Sequence, residues 1–153
     1  MYLAYDTLSK GLRELLTDMR AVHSASEIYS QNSRRSEKRA GRSRSMTIVN
    51  QDNAVGEVYH PVVRTHPETS RKLLYVNSNF TQRFEGMTDA ESKPLLRYLY
   101  EHMERPEFTC RVRWLPDTLI IWDNRCTQHL AVSDYDGYRR RMHRVTVNGD
   151  RPY

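Results

Sequence analysis

Trp122-Asp123-Asn124-Arg125, then His129, then Arg140 and Arg144 place one metal-ligand type and two anion-binding cations in one short stretch. An imidazole can ligate a transition metal. A guanidinium holds a carboxylate or sulfonate in a fixed fork, which a lysine point charge does less well. The combination suits a metal centre that works beside a small anion.

The elements that must position these groups can be read from the pattern around them. Leu119, Ile120, Ile121 and Trp122 form a short apolar run that suits a buried strand, and Asp123-Asn124 supplies the turn that ends it. His129 lies just past that turn. After the Asp136-Gly137 turn signal, the run from Arg140 to Val147 reads as another strand, whose even spacing puts Arg140, Met142 and Arg144 on one face. Phe108, Cys110, Val112 and Trp114 alternate with Thr109, Arg111 and Arg113, the period of a half-buried strand, and Pro116-Asp117 turns the chain back. Strands are therefore expected near residues 108–114, 118–122 and 140–147. Asp6 can cap a helix carrying Leu8, Leu12, Leu15, Leu16 and Met19, and Thr88 with Glu91 forms a capping box before Leu95, Leu96, Leu99 and Met103.

These residues closely resemble the C-terminal motif of the TauD/TfdA family, the Fe(II)- and 2-oxoglutarate-dependent dioxygenases that include taurine dioxygenase. The likeness covers WDNRCTQH at Trp122 to His129, Asp134-Tyr135, RRRMHR at Arg139 to Arg144 and GDRPY at Gly149 to Tyr153. It continues upstream through HPVVRTHPETSRKLLYVNSNFT from His60 to Thr81 and through Met1 to His23. The resemblance implies a mainly β fold with flanking helices, the C-terminal part of a double-stranded β-helix, or jelly roll. By the same likeness His129 is the distal histidine of a 2-His-1-carboxylate iron site, and Arg140 grips the distal carboxylate of 2-oxoglutarate. Arg144 then meets the acidic group of the substrate, and Phe80 walls the substrate pocket. The implied cofactors are Fe(II) and 2-oxoglutarate, and the implied partners are O2 and a small anion, most closely a sulfonate such as taurine.

The same likeness exposes a gap. The family carries its first histidine and its carboxylate as an HxD motif ahead of the segment that Met1 to His23 resembles, and no HxD occurs in this sequence. His66-Pro67-Glu68 and His102-Met103-Glu104 are the nearest patterns, and neither stands in the family's position. His102 falls near the end of a predicted helix, where a histidine usually faces solvent and complements the helix dipole. The chain is thus expected to carry a single native iron ligand and to be inactive alone. The alternative reading is a truncated, non-catalytic product that at most binds small anions.

Composition fits a partial domain with a modest core, at 38% hydrophobic and 28% charged residues over 153 positions. No apolar run approaches the roughly 18 residues of a membrane span and no signal-peptide pattern opens the chain, so a cytoplasmic setting is expected. Cys110 and Cys126 read as reduced packing residues. The net charge of +5 is matched by the stretch from 33 to 45, where Arg34, Arg35, Lys38, Arg39, Arg42 and Arg44 face only Glu37. Elsewhere positive and negative residues balance at 18 each. Without apolar periodicity or interleaved aromatics, that stretch reads as a solvated, mobile loop and argues against specific nucleic-acid binding. Sheet edges left without partners would favour association between copies. Each site residue also has a plain structural reading: His129 as a hydrogen-bonded histidine, Arg140 and Arg144 as exposed edge-strand charges, and Phe80 and Trp122 as packing.

Overall fold

The computed structural model describes residues 1–26, 56–132 and 134–153; the basic stretch from 33 to 45 lies outside them. The elements run α1 (Tyr2–Asp6), α2 (Lys10–Thr17), β1 (Arg20–Ser24), β2 (Glu57–Pro61), β3 (Val63–Thr65), β4 (Lys72–Leu74), β5 (Thr81–Phe84) and α3 (Asp89–Met103), followed by a 3-10 turn at Pro106–Phe108. β1 is the centre of an antiparallel sheet in the order β2-β1-β5, and β3 pairs antiparallel with β4. Ala21, Val22, His23 and Ser24 are all buried, so β1 is covered on both faces and shows no alternation.

Leu16, Leu74, Phe84 and Leu99 form the centre of the core with Ala21 and Val76 around them. Each large side chain buried there contributes about 1.5–3 kcal/mol. The Thr88 and Glu91 capping box forms as the sequence predicts, and Leu96, Leu99 and Met103 face inward from α3. Ser92 Oγ accepts from the Phe84 backbone N–H at 3.0 Å, which ties α3 to β5.

Four expectations are corrected by this structure. The helix expected from the Asp6 cap starts later and is shorter, Lys10–Thr17: Asp6 instead ends a separate helix, α1, and Ser9 caps α2 by accepting from the Leu12 backbone N–H. Leu15 consequently faces solvent. His102 is buried, because its Nε2–H donates to the Ala4 carbonyl at 2.8 Å and so docks α3 on α1. Cys110 is exposed and does not pack, although both cysteines are free. The largest correction concerns the strands expected at 108–114, 118–122 and 140–147. Among the described residues no strand forms there, and the apolar positions stand open, with Ile121 86% and Val145 92% exposed. The alternation is present, but a strand needs a ladder partner and none of the described residues supplies one. The turns at Pro116-Asp117 and Asp136-Gly137 do form, Gly137 taking the positive φ of 82° that its lack of a Cβ permits.

Arg64 is 2% exposed, and its guanidinium lies 5.1 Å from the Tyr75 ring centroid. Among the described residues its Nε and one Nη have no hydrogen-bond partner. An uncompensated buried charge is expensive, and the ring offers it only about 0.5–2 kcal/mol in return. Arg64→Met is therefore expected to leave the chain as stable or to stabilise it by about 1 kcal/mol or more. Urea unfolding checks this, and a clear loss of stability would contradict it.

Candidate functional site

The centre of the site is a turn held by side chains. The Asp123 carboxylate accepts from the Arg125 backbone N–H at 2.8 Å and from Arg125 Nη2 at 2.7 Å, while its carbonyl accepts from the Thr127 N–H at 3.1 Å. His66 is buried against the same carboxylate, with Nε2 3.1 Å from Oδ2. His66 Nδ1 accepts from the backbone N–H groups of Glu68 and Thr69, both at 3.3 Å, so the ring proton sits on Nε2 and is donated to Asp123. Arg125 reaches on to Glu68 at 2.8 Å. The Arg125 guanidinium, helped by His66 and opposed by partial burial, holds the Asp123 carboxyl well below the usual carboxylate range. Asp123 and Glu68 in turn push Arg125 up.

Past the turn, Gln128 donates from Nε2 to the Val76 carbonyl at 2.6 Å, and the Trp122 indole N–H donates to Asn124 Oδ1 at 2.8 Å. The His129 ring then lies 5.0 Å from the Trp122 ring, centroid to centroid. His129 itself is exposed.

A cavity of about 550 Å³ opens beside this turn, within the size range of small-molecule sites. Asn124, Arg125 and Gln128 line it together with His60, Tyr75 and Phe80, and His129 is not among its lining residues. Phe80 is set there by an Asx-type turn, in which Asn77 Oδ1 accepts from the Asn79 and Phe80 N–H groups at 3.1 and 2.8 Å. The structure thus brings Phe80 and the turn before His129 to one cavity. Arg140 and Arg144 do not line it: the Arg140 guanidinium sits 4.8 Å from the Tyr135 ring centroid, and Arg144 is exposed.

His23, His60 and Tyr75, which no motif or spacing singles out, form a cluster at the cavity wall. His23 lies 5.0 Å from His60 and 6.1 Å from Tyr75, ring to ring, and Thr81 Oγ1 is 3.3 Å from its Nε2. A histidine inside the buried β1 segment was the available signal. Burial, then the neighbouring His60, pushes His23 down to about 4. Burial also lowers His60, with Arg151, Arg64 and Arg20 adding to the effect. Between pH 4 and 6.5 the unfolded chain therefore binds the proton that folded His23 refuses, and stability rises with pH across that window. The gain should approach about 3 kcal/mol and flatten above it. Urea unfolding at several pH values checks this; a flat profile, or one unchanged by His23→Gln, would contradict it.

Among the described residues His129 is not joined to a three-ligand iron site. Among the described residues, His66, Asp123 and Cys126 bring potential ligand atoms within 4.8 Å of one another. His66 uses both ring nitrogens, and Asp123 is saturated by Arg125, so this set is a hydrogen-bonded clamp and not a metal centre. His129 belongs to no such set of three among the described residues. The residues described here do not by themselves fit an iron site.

Comparison with known proteins supplies the class. A solved taurine dioxygenase from Burkholderia xenovorans superposes with a TM-score of 0.54 at 35% identity, over 75% of this chain and 32% of that one. The described fold is thus part of a 2-oxoglutarate-dependent dioxygenase fold. Residues 1–146 match the taurine catabolism dioxygenase TauD, TfdA family, and the chain belongs to it. It is 38% identical over 148 residues to the alpha-ketoglutarate-dependent dioxygenase cnsM of Penicillium expansum, covering 95% of this chain and 39% of that protein. It is 33% identical over 151 residues to the alpha-ketoglutarate-dependent sulfonate dioxygenase of Saccharomyces cerevisiae, covering 97% and 34% respectively. The chain therefore spans well under half the length of these relatives. No helix among the described residues is long and apolar enough to cross a membrane.

Proposed function

We propose that this chain is the C-terminal part of a jelly-roll dioxygenase that uses Fe(II), 2-oxoglutarate and O2 to hydroxylate a small anionic substrate in the cytoplasm. His129 supplies one iron ligand, and the remaining two come from outside the described residues. Arg140 holds the distal carboxylate of 2-oxoglutarate, Arg144 holds the acidic group of the substrate, and Phe80 walls the pocket. The observation that supports this reading is the clamped turn from Trp122 to Gln128, which leads directly into His129 and which lines, through Asn124, Arg125 and Gln128, a cavity that Phe80 also lines. The apolar positions left open at Leu119, Ile121, Val145 and Val147 fit a sheet completed by further strands.

The substrate we favour is a sulfonate of the taurine type. Hydroxylation of the carbon beside sulfur then releases sulfite and an aldehyde. Support comes from the sulfonate dioxygenase and taurine dioxygenase among the similar proteins. The test is a polypeptide in which this chain follows a segment carrying an HxD pair, titrated with taurine, an alkyl sulfate and a phenoxyacetate. Preference for taurine is expected. Equal rates on all three, or preference for the phenoxyacetate, would overturn the sulfonate assignment.

A second reading, a non-catalytic product that at most binds small anions, rests on one observation: His129 belongs to no group of three potential metal ligands among the described residues.

A further inference from the structure

Two motifs far apart in the chain interlock pair by pair. His66 meets Asp123 at 3.1 Å across 57 residues of sequence, and Glu68 meets Arg125 at 2.8 Å. His66 is only 3% exposed, and backbone N–H groups fix its tautomer from the other side, so its proton has one place to go. Asp123 is the hub. Its carboxylate accepts from the Arg125 backbone N–H, from the Arg125 guanidinium and from His66, while its carbonyl closes the turn on Cys126 and Thr127. Charge-assisted bonds of this kind are roughly twice as strong as neutral ones, and a bidentate guanidinium adds direction. Among the described residues no strand ladder holds residues 118–129, so side chains do the work that a sheet would otherwise do.

We propose that Asp123 is a positioning residue, which through His66 and Arg125 fixes the turn that sets the His129 ring against Trp122. Its functional meaning rests on the reading of His129 as an iron ligand; its geometry does not. Glu68 steadies the outer arm of Arg125 and is itself mostly exposed, so it is a secondary support. Asn at position 123 would present an amide N–H₂ toward donors on His66 or Arg125, and one arm of the clamp must open. Glu would keep the charge on a longer stem.

Ring-to-ring nuclear Overhauser effects between Trp122 and His129 in the purified chain test this, because the two rings are 5.0 Å apart. Asp123→Asn should reduce these cross-peaks at least threefold, and Asp123→Glu should restore part of the loss. If Asp123→Asn fails to fold, Arg125→Lys decides, since it keeps the charge and drops the fork; it too should reduce the cross-peaks at least twofold. The ¹⁵N shifts of His66 report whether its Nε2–H tautomer is released in the same variants. Cross-peaks of parental intensity in the folded variants, with the His66 tautomer released, would make the clamp a stabilising contact only and overturn the proposal. The readout involves no iron, so failure of the iron assignment would show separately, as turnover that survives loss of His129.

Discussion

His129→Ala is expected to abolish iron-dependent turnover at every concentration of 2-oxoglutarate and substrate, in a polypeptide where this chain follows a segment that carries the HxD pair. The reason lies in how such sites gain affinity. Converging ligands share the work of holding the metal, so removing one of three leaves a site that fills poorly and holds its open positions in the wrong geometry. Added 2-oxoglutarate cannot compensate, because the defect precedes its binding. Succinate release across a wide range of both small molecules checks this. Activity that recovers at high 2-oxoglutarate would instead make His129 a contact to the cosubstrate.

The two arginines should separate cleanly in the same polypeptide. Arg140→Ala should raise the apparent constant for 2-oxoglutarate, and Arg144→Ala that for the acidic substrate, each by well over tenfold. Truncating one partner of a desolvated charge pair costs about 2–5 kcal/mol, and about 1.4 kcal/mol is already a factor of ten. In the present structure Arg140 rests on Tyr135 with a centroid distance of 4.8 Å. Such an exposed contact is worth about 0.5–1 kcal/mol, too little to keep the guanidinium from a carboxylate. Exchanged effects, or equal effects of both substitutions on both constants, would sink the assignment.

Local signals were legible in the sequence and long-range ones were not. Thr88 and Glu91 announce α3 because a capping box is written within four residues, and Pro116-Asp117 and Asp136-Gly137 announce turns for the same reason. Asp6 and Ser9 offer similar capping oxygens three residues apart, and spacing alone does not choose between them; in the fold it is Ser9 that caps. The reading of His102 as solvent-facing failed because its partner, the Ala4 carbonyl, lies 98 residues away. The strands expected at 108–114, 118–122 and 140–147 show the limit most plainly. Alternation fixes which face would be buried, but a ladder requires a neighbour, and among the described residues these segments have none. At the site, the WDNR motif and His129 could be singled out by type and resemblance. That His66 and Glu68 serve as clamps on Asp123 and Arg125 could not be read from spacing, since the two motifs meet only in the fold.

The account stands or falls most directly on succinate release by the purified 153-residue chain supplied with Fe(II), 2-oxoglutarate, O2 and taurine. If His129 is the chain's single iron ligand, as proposed, it cannot sustain the chemistry alone, so no succinate above the protein-free control is expected, and its appearance once an HxD-bearing segment is joined in front would complete the case. Succinate formed by the chain alone, dependent on both iron and 2-oxoglutarate, would contradict it.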